Sequence, residues 1–249
     1  VSAERAYKAR GIVLRARSLG EADKIYTLFT IERGKLDAVG KGVRRQKSQL
    51  AGRLEFTSEV ALTMHRGRNL DVITSAEIVR EHWAAIVDPA AFATAHLIVE
   101  LVDAFSEPDL AQPEVYALLR GALHALCAAP DPARLVPRFS LRLLGALGFG
   151  PASEACVRCG DPFAEHRAFA DLEAGGLACE RCRPHRADSL ELGPLDVTNF
   201  QGLGAGREGA VPPALGATSA AARAVDAFVN WHLGKRPKAA RFLSDLAHS

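Results

Sequence analysis

Apolar and polar positions alternate in short runs through the first eighty residues, and the pattern then lengthens to a helical period. About five strands are predicted between residues 12 and 79. In the first, Ile12, Leu14 and Ala16 alternate with Val13, Arg15 and Arg17, so the two arginines share one outward face. Residues 24–30 gather β-branched and aromatic side chains and stop at Glu32-Arg33-Gly34. Strands over 35–40, 55–65 and 70–79 follow, the last two joined by the turn Arg66-Gly67-Arg68-Asn69. Five short strands with mostly tight connections predict a small closed barrel of the OB type. A five-stranded open sheet or an SH3-like barrel writes a similar pattern.

After Arg80, Asp88-Pro89 gives a helix start, and Phe92 to Phe105 is apolar on nearly every side, as in a buried helix. Pro113 opens a second helix with Val115, Leu118, Leu119, Ala122 and Leu126 on one face. Asp131-Pro132 opens a third that carries Val136, Phe139, Leu143 and Leu147 and ends at Gly148, with Pro137 near its first turn. Helical character returns at Ser219, where Val225, Phe228, Val229 and Leu233 share a face; a short last helix holds Phe242, Leu243 and Leu246. The predicted fold class is therefore α+β and multidomain. It comprises an OB-type barrel over 1–80, a helical domain in two segments, 81–150 and 190–249, and an inserted four-cysteine module over 151–189. A chain of 249 residues is long enough for more than one such unit.

Charge sharpens this division. Residues 1–80 hold 16 lysines and arginines against 9 carboxylates, whereas the remainder holds 15 against 20. That asymmetry predicts a polyanion at the amino-terminal end. Its centre is residues 35–53, KLDAVGKGVRRQKSQLAGR, which bring Lys35, Lys41, Arg44, Arg45, Lys47 and Arg53 onto one strand and the loop after it, with no acid after Asp37. Arg15, Arg17, Arg66 and Arg68 complete the candidate set. If the loop after strand three neighbours the turn after strand four, these cations form one groove for a phosphate backbone. Aromatic platforms are few, with Tyr7, Tyr26 and Phe56 the candidates and the last two equally suited to a core. Binding dominated by phosphate charge, weakly selective and sensitive to salt, is the expectation. A solvated basic surface without a ligand is the bland alternative.

Cys156-Val-Arg-Cys159 and Cys179-Glu-Arg-Cys182 stand at the spacing of a four-cysteine zinc site. Two thiolates on each tight turn make a soft tetrahedral cage. Four protein ligands leave no open position for a catalytic water, so the expected metal, one Zn²⁺, is structural. Redox disulfides, buried thiols or a cluster site are the alternatives, and His166 and His185 are spare donors nearby. Arg158 and Arg181 either meet a partner or offset the charge of the tetrathiolate centre. Cys127, in an apolar helix, reads as a small buried hydrophobe.

Other letters carry less. Gly204-Ala-Gly206-Arg-Glu-Gly209 spells GxGxxG, but no strand precedes it and Val211-Pro212-Pro213 follows where a dinucleotide fold needs a helix, so a glycine-rich loop is expected. No P-loop, nucleophile elbow or nuclease-like carboxylate cluster is present, and His65, His82, His96 and His124 are scattered; a non-enzyme is expected. The visible chain starts at Val1 without an initiator methionine. It shows no apolar signal core and no apolar run of about 18 residues. Cysteine usage fits a reducing, cytoplasmic compartment.

Three stretches together, GIVLRARSLGEADKIYTLFTIERGKLDAVGKGVRRQKS, LRLLGALGFGP leading into CVRC, and AFADLEAGGLACERC, resemble the RecO family of recombination mediators. The resemblance implies an amino-terminal OB domain, a helical domain and a zinc-binding module. It also implies binding of single- and double-stranded DNA, annealing of complementary strands, and work with RecR and the single-strand-binding protein to load the RecA recombinase, in the cytoplasm at the nucleoid. It carries the zinc role to Cys156, Cys159, Cys179 and Cys182, and DNA contact to Lys35, Lys41, Arg44, Arg45 and Lys47. Some members lack the cysteines, which fits a structural metal. An RNA-binding OB and zinc-knuckle module, or a pure assembly adaptor, are the competing functions.

Overall fold

The alternation of the first eighty residues closes into a ring. In the computed structural model, described over residues 6–45, 48–82, 88–163, 167–185, 189–204 and 218–246, five strands form a closed barrel. They are β1 (Ala6–Leu19), β2 (Asp23–Thr30), β3 (Gly34–Gly40), β4 (Glu59–His65) and β5 (Asp71–Arg80). Their order is β1-β2-β3-β5-β4, with β4 returning to β1. All pairings are antiparallel except β3 with β5, where Ala38, Val39 and Gly40 run parallel to Asp71, Val72 and Ile73. This is the OB arrangement; an open sheet would leave β1 and β4 unpaired. At 14 residues β1 is long enough to serve two partners, its first half on β4 and its second on β2.

The expected in-out alternation along β1 fails at its centre. Ile12, Val13 and Leu14 are all buried, and the register to β2 slips between Val13 and Arg15. Val13 joins Tyr26, Leu28, Val60, Leu62, Met64 and Ile73 in the barrel core. A bulge at this point bends the strand and re-aims its second half, so Arg15 and Arg17 end on the exposed side. The outward face is itself covered in part. Phe29 stacks on Tyr116 at 6.4 Å, and the Tyr116 hydroxyl donates to the buried Glu59 carboxylate (3.0 Å), which also accepts from Arg10 Nε (2.9 Å).

Tyr116 belongs to α2 (Pro113–Leu126), which follows α1 (Pro89–Phe105). Both have proline in the first turn, and the Asp88 side chain caps α1 by accepting from Ala91 N (2.7 Å). The chain divides into two compact units. One holds the barrel, α2 and α1 apart from His96–Ile98; the other holds those three residues and everything from Ala129. The change of sequence texture at residue 80 is thus a change of secondary structure inside a unit, because α2 covers apolar barrel surface.

In the second unit, α3 (Leu135–Ala146), α4 (Pro194–Gly204) and α5 (Ala220–Leu233) pack pairwise, with Phe200 and Phe228 6.1 Å apart, and α6 (Lys238–Leu246) follows. Ser219 caps α5, accepting from Ala222 N, and Gly148 takes the left-handed conformation after α3. Between α3 and α4 lies a small sheet of β6 (Ala168–Asp171), β7 (Gly176–Cys179) and β8 (Glu191–Leu192) in the order β7-β6-β8. Helix α4 is new relative to the sequence reading, and Gly204 is its last residue; the rest of the GxGxxG stretch lies outside the described residues. Among the described residues no helix is long and apolar enough to cross a membrane.

Gly34 shows how tightly the α1–α2 connector lies on the barrel. Its φ is +65°, and a Cβ would stand 1.8 Å from the Leu110 carbonyl oxygen. Gly34→Ala is expected to destabilise the chain by roughly 2–4 kcal/mol, combining the left-handed backbone penalty with displacement of the connector. Gly20→Ala, at φ +59° with open space around it, is expected to cost only about 1 kcal/mol. Denaturant midpoints for the two variants make the comparison, and equal shifts would refute it.

Candidate nucleic-acid interface and four-cysteine centre

The basic loop leaves β3 at Gly40 and is fastened rather than loose. Val43, Leu50 and Leu54 drop into the barrel core. Gly42 N donates to Asp23 Oδ1 (2.7 Å) and Arg44 N to the Ala22 carbonyl (3.0 Å), while Arg45 N closes a turn on Gly42 O (3.1 Å). These bonds hold the loop against the β1–β2 turn. With Val43 turned inward, Lys41, Arg44 and Arg45 are exposed. Among the described residues none of the three forms an ion pair; the Arg44 guanidinium donates only to the Gly20 carbonyl (3.3 Å). Lys47 lies outside the described residues.

The other candidate cations, Arg68 apart, are engaged. Arg15 Nε and Lys35 Nζ stand 3.2 and 3.3 Å from the two carboxylate oxygens of Asp103 in α1, and Lys35 also donates to the Asp103 carbonyl. Arg17 pairs with Asp37 (3.1 Å), and Arg53 donates to the Ala76 carbonyl (2.9 Å). Arg66 lies over the Tyr7 ring at 5.8 Å, and Arg68 is exposed without an ion pair among the described residues.

One continuous groove is not what the barrel register gives. Because β5 runs parallel to β3 and begins beside Ala38, the β4–β5 turn with Arg66 and Arg68 lies back along β3 toward Gly34, while the basic loop departs beyond Gly40. The seven residues of β3 span roughly 20 Å at about 3.3 Å per residue, so the two groups sit toward opposite ends. The aromatic candidates are also occupied. Tyr26 is in the core and Phe56 meets Phe92 edge to face at 6.3 Å. Tyr7 carries Arg33 as well as Arg66 over its ring and donates to Asp71.

Arg33 and Asp71 escaped the sequence reading. Arg33 Nη1 reaches Asp71 (2.7 Å) and the Tyr7 hydroxyl (2.8 Å), and Nη2 pairs with Asp109. Partial burial works against the Asp71 carboxylate, but the hydrogen bonds from Tyr7, Arg33 and Gly67 N hold it below the usual range. Burial, reinforced by that same carboxylate, pushes Tyr7 up to about 12. Both partners lie far from Arg33 in sequence, 38 residues for Asp71 and 76 for Asp109, so no local pattern reveals them.

The second centre lies between β6, β7 and the loop before them. All four thiols of Cys156, Cys159, Cys179 and Cys182 are within 4.8 Å of one another. Cys159 Sγ and Cys179 Sγ are 3.7 Å apart, far beyond a disulfide but close to the edge of about 3.8 Å that 2.3 Å metal–sulfur bonds give a tetrahedron. The five cysteines are all unpaired as disulfides. Each turn is shaped for the task. Cys156 N donates to the Asp161 carbonyl and Gly160 N to the Cys156 carbonyl (both 2.8 Å), with Gly160 at φ +80°. Cys179 N points at Cys156 Sγ (3.3 Å). Burial opposes the Cys156 thiolate, yet backbone N–H groups of Cys179, Cys159 and Arg158 pull its pKa down to about 6. The spacing of the four sulfurs fits a metal ion. Arg158 pairs with the buried Asp171 and Arg181 with Asp161, so both arginines brace the knuckles from within the module. Asp171 in turn caps the β6–β7 turn, accepting from Ala174 N (3.0 Å).

Models of the amino-terminal and carboxy-terminal parts of recombination protein O match residues 5–82 and 87–241 of this chain. A DNA repair protein RecO of Thermobifida fusca is 36% identical over 234 residues, covering 91% of this chain and 93% of its own length. Those of Frankia casuarinae and Bifidobacterium longum are 34% identical over 241 residues and 38% over 200; they cover 95% and 79% of this chain, and 98% and 82% of their own lengths.

For the thiol cage, elemental analysis is expected to return one metal ion per chain. Cys179→Ser should lose it and lower the melting temperature, and a variant that keeps full metal and melts normally refutes a four-sulfur site. Asp171→Asn, which removes the charge that braces Arg158, is expected to speed metal loss to a chelator by roughly tenfold or more, because the ligands lose an outer support.

Proposed function

The chain belongs to the RecO family of DNA repair proteins, and from that premise we propose that it is a recombination mediator without catalytic chemistry of its own. It binds single- and double-stranded DNA through the barrel and anneals complementary strands. With RecR and the single-strand-binding protein it assists loading of the RecA recombinase, in the cytoplasm at the nucleoid. The observation that carries this reading is the fastened loop with Lys41, Arg44 and Arg45 exposed beside the β1–β2 turn and without carboxylate partners among the described residues.

The physical task is to bring two polyanions together. Each strand repels the other through its phosphates, and cations that replace condensed counterions lower that repulsion while releasing salt. The bases must stay free to find their complements, so a face without open stacking platforms suits annealing better than tight capture. Tyr7, Tyr26 and Phe56 are each engaged with protein groups, which supports that reading. No bond is broken in the process, and no nucleophile is required.

The four-cysteine centre takes a structural role in this account. It holds one Zn²⁺, and its four protein ligands leave no coordination position for substrate or water.

Replacing Lys41, Arg44 and Arg45 together by alanine is expected to weaken binding of single-stranded DNA and slow annealing, with helical content retained. Three lost phosphate contacts should flatten the log–log salt dependence by about 2 units, at roughly 0.7 per contact. Unchanged affinity and unchanged slope would overturn the assignment. Competition between single-stranded DNA and RNA of equal length separates the nearest alternative, since a clear preference for RNA would remove the DNA reading.

A further inference from the structure

Three cations on the outer face of the barrel are already answered by carboxylates from the segment that succeeds it in the chain. Asp103 bridges Arg15 and Lys35 with its two oxygens at 3.2 and 3.3 Å, much as a phosphate bridges two bases of a binding site. Asp109 pairs with Arg33. All five residues belong to the unit that contains the barrel, and all but Asp103 line a cleft of about 390 Å³ whose wall also carries the Asp71 carboxylate, held by Arg33, and the Asp37 carboxylate, held by Arg17. We propose that Asp103 and Asp109 act as internal stand-ins for phosphates, so that Arg15, Lys35 and Arg33 make a second DNA-backbone subsite which a strand opens by displacing those carboxylates. This rests on the reading of the barrel as a DNA-binding domain and adds the regulation of one face of it.

Two features separate this arrangement from an ordinary structural ion-pair network. The connector is pinned to β3 by its backbone, with Asp109 N donating to the Lys35 carbonyl (2.8 Å) and a parallel bridge from Lys35 to Pro108. Side chains can therefore exchange partners without the connector leaving the barrel, and the carboxylates remain at high local concentration as competitors. The groups also differ in depth. The Arg15 and Asp109 side chains are 56% and 58% exposed and Asp103 is 25% exposed, whereas Lys35 and Asp71 are 17% and 15% exposed, so Arg15–Asp103 and Arg33–Asp109 are the pairs a strand meets first. Exposed pairs contribute little to stability and are weakened by salt, so a polyanion that releases counterions can replace them. Arg33–Asp71 stays as the anchor while Asp103 and Asp109 yield.

The test uses the full chain and an oligothymidylate. Asp103→Asn with Asp109→Asn is expected to tighten binding roughly tenfold at about 0.15 M salt and to steepen the log–log salt slope by about 1.4, the increment for two additional contacts at roughly 0.7 each. Adding Arg15→Gln should remove much of that gain. A folded double variant with wild-type affinity and slope overturns the proposal. Should the double variant not fold, Arg15→Gln alone decides, because this exposed side chain must flatten the slope if strands reach it and leave it unchanged if they do not. The two readings fail differently. A wild-type chain that does not bind the oligomer removes the DNA assignment; binding that depends on Lys41, Arg44 and Arg45 but ignores Asp103, Asp109 and Arg15 removes only this subsite.

Discussion

A barrel face that carries arginine and lysine can be covered by later segments of the chain only if each charge taken from water meets a carboxylate. Burying an unpaired ion costs several kcal/mol, more than a short helix contact returns. Four cations of the first unit follow that constraint. Arg10 meets Glu59, Arg15 and Lys35 meet Asp103, and Arg33 meets Asp71 and Asp109. Beside the β1–β2 turn, Lys41, Arg44 and Arg45 are exposed and form no ion pair among the described residues. The same rule thus separates the paired cations of the barrel from those left unpaired among the described residues.

The four-cysteine cluster answers a different shortage. The module between α3 and α4 has three strands of two to four residues, too few to bury a core of their own. Phe169, Ala170, Leu177 and Ala178 are nevertheless buried. A metal ion bound by the four sulfurs would supply the cross-link that apolar area cannot, with Arg158 and Arg181 paired to Asp171 and Asp161 beside them. Four sulfurs at tetrahedral spacing are a short-range device, which explains why their sequence signature is compact.

That contrast accounts for what was legible in the sequence. Both CxxC turns could be read directly, because each knuckle is a local conformation and the separation of the two is fixed by one hairpin. The strands were legible by their period, and the helix starts at Asp88-Pro89, Pro113 and Ser219 by their caps. Helix α4 was not. Its Val197, Thr198, Gly202 and Gly204 are poor helix formers, and only packing on α3 and α5 makes it helical. On α2, Tyr116 and Leu123 are buried where Leu118 and Ala122 were expected to be, because the helix faces an aromatic barrel side chain that lies far away in sequence.

The basic residues show the limit most clearly. Composition placed ten cations in the amino-terminal part as one set, yet geometry sorts the nine described ones by what stands opposite. Sequence displays each charge and conceals its partner: Asp103 is 88 residues from Arg15, and Asp109 is 76 from Arg33. A parallel β3–β5 pairing, invisible to any local pattern, then sends the basic loop and the β4–β5 turn toward opposite ends of one strand. Counting positive charges therefore overstates the surface open to a polyanion. Which cations stand without a carboxylate among the described residues is decided by the tertiary fold alone.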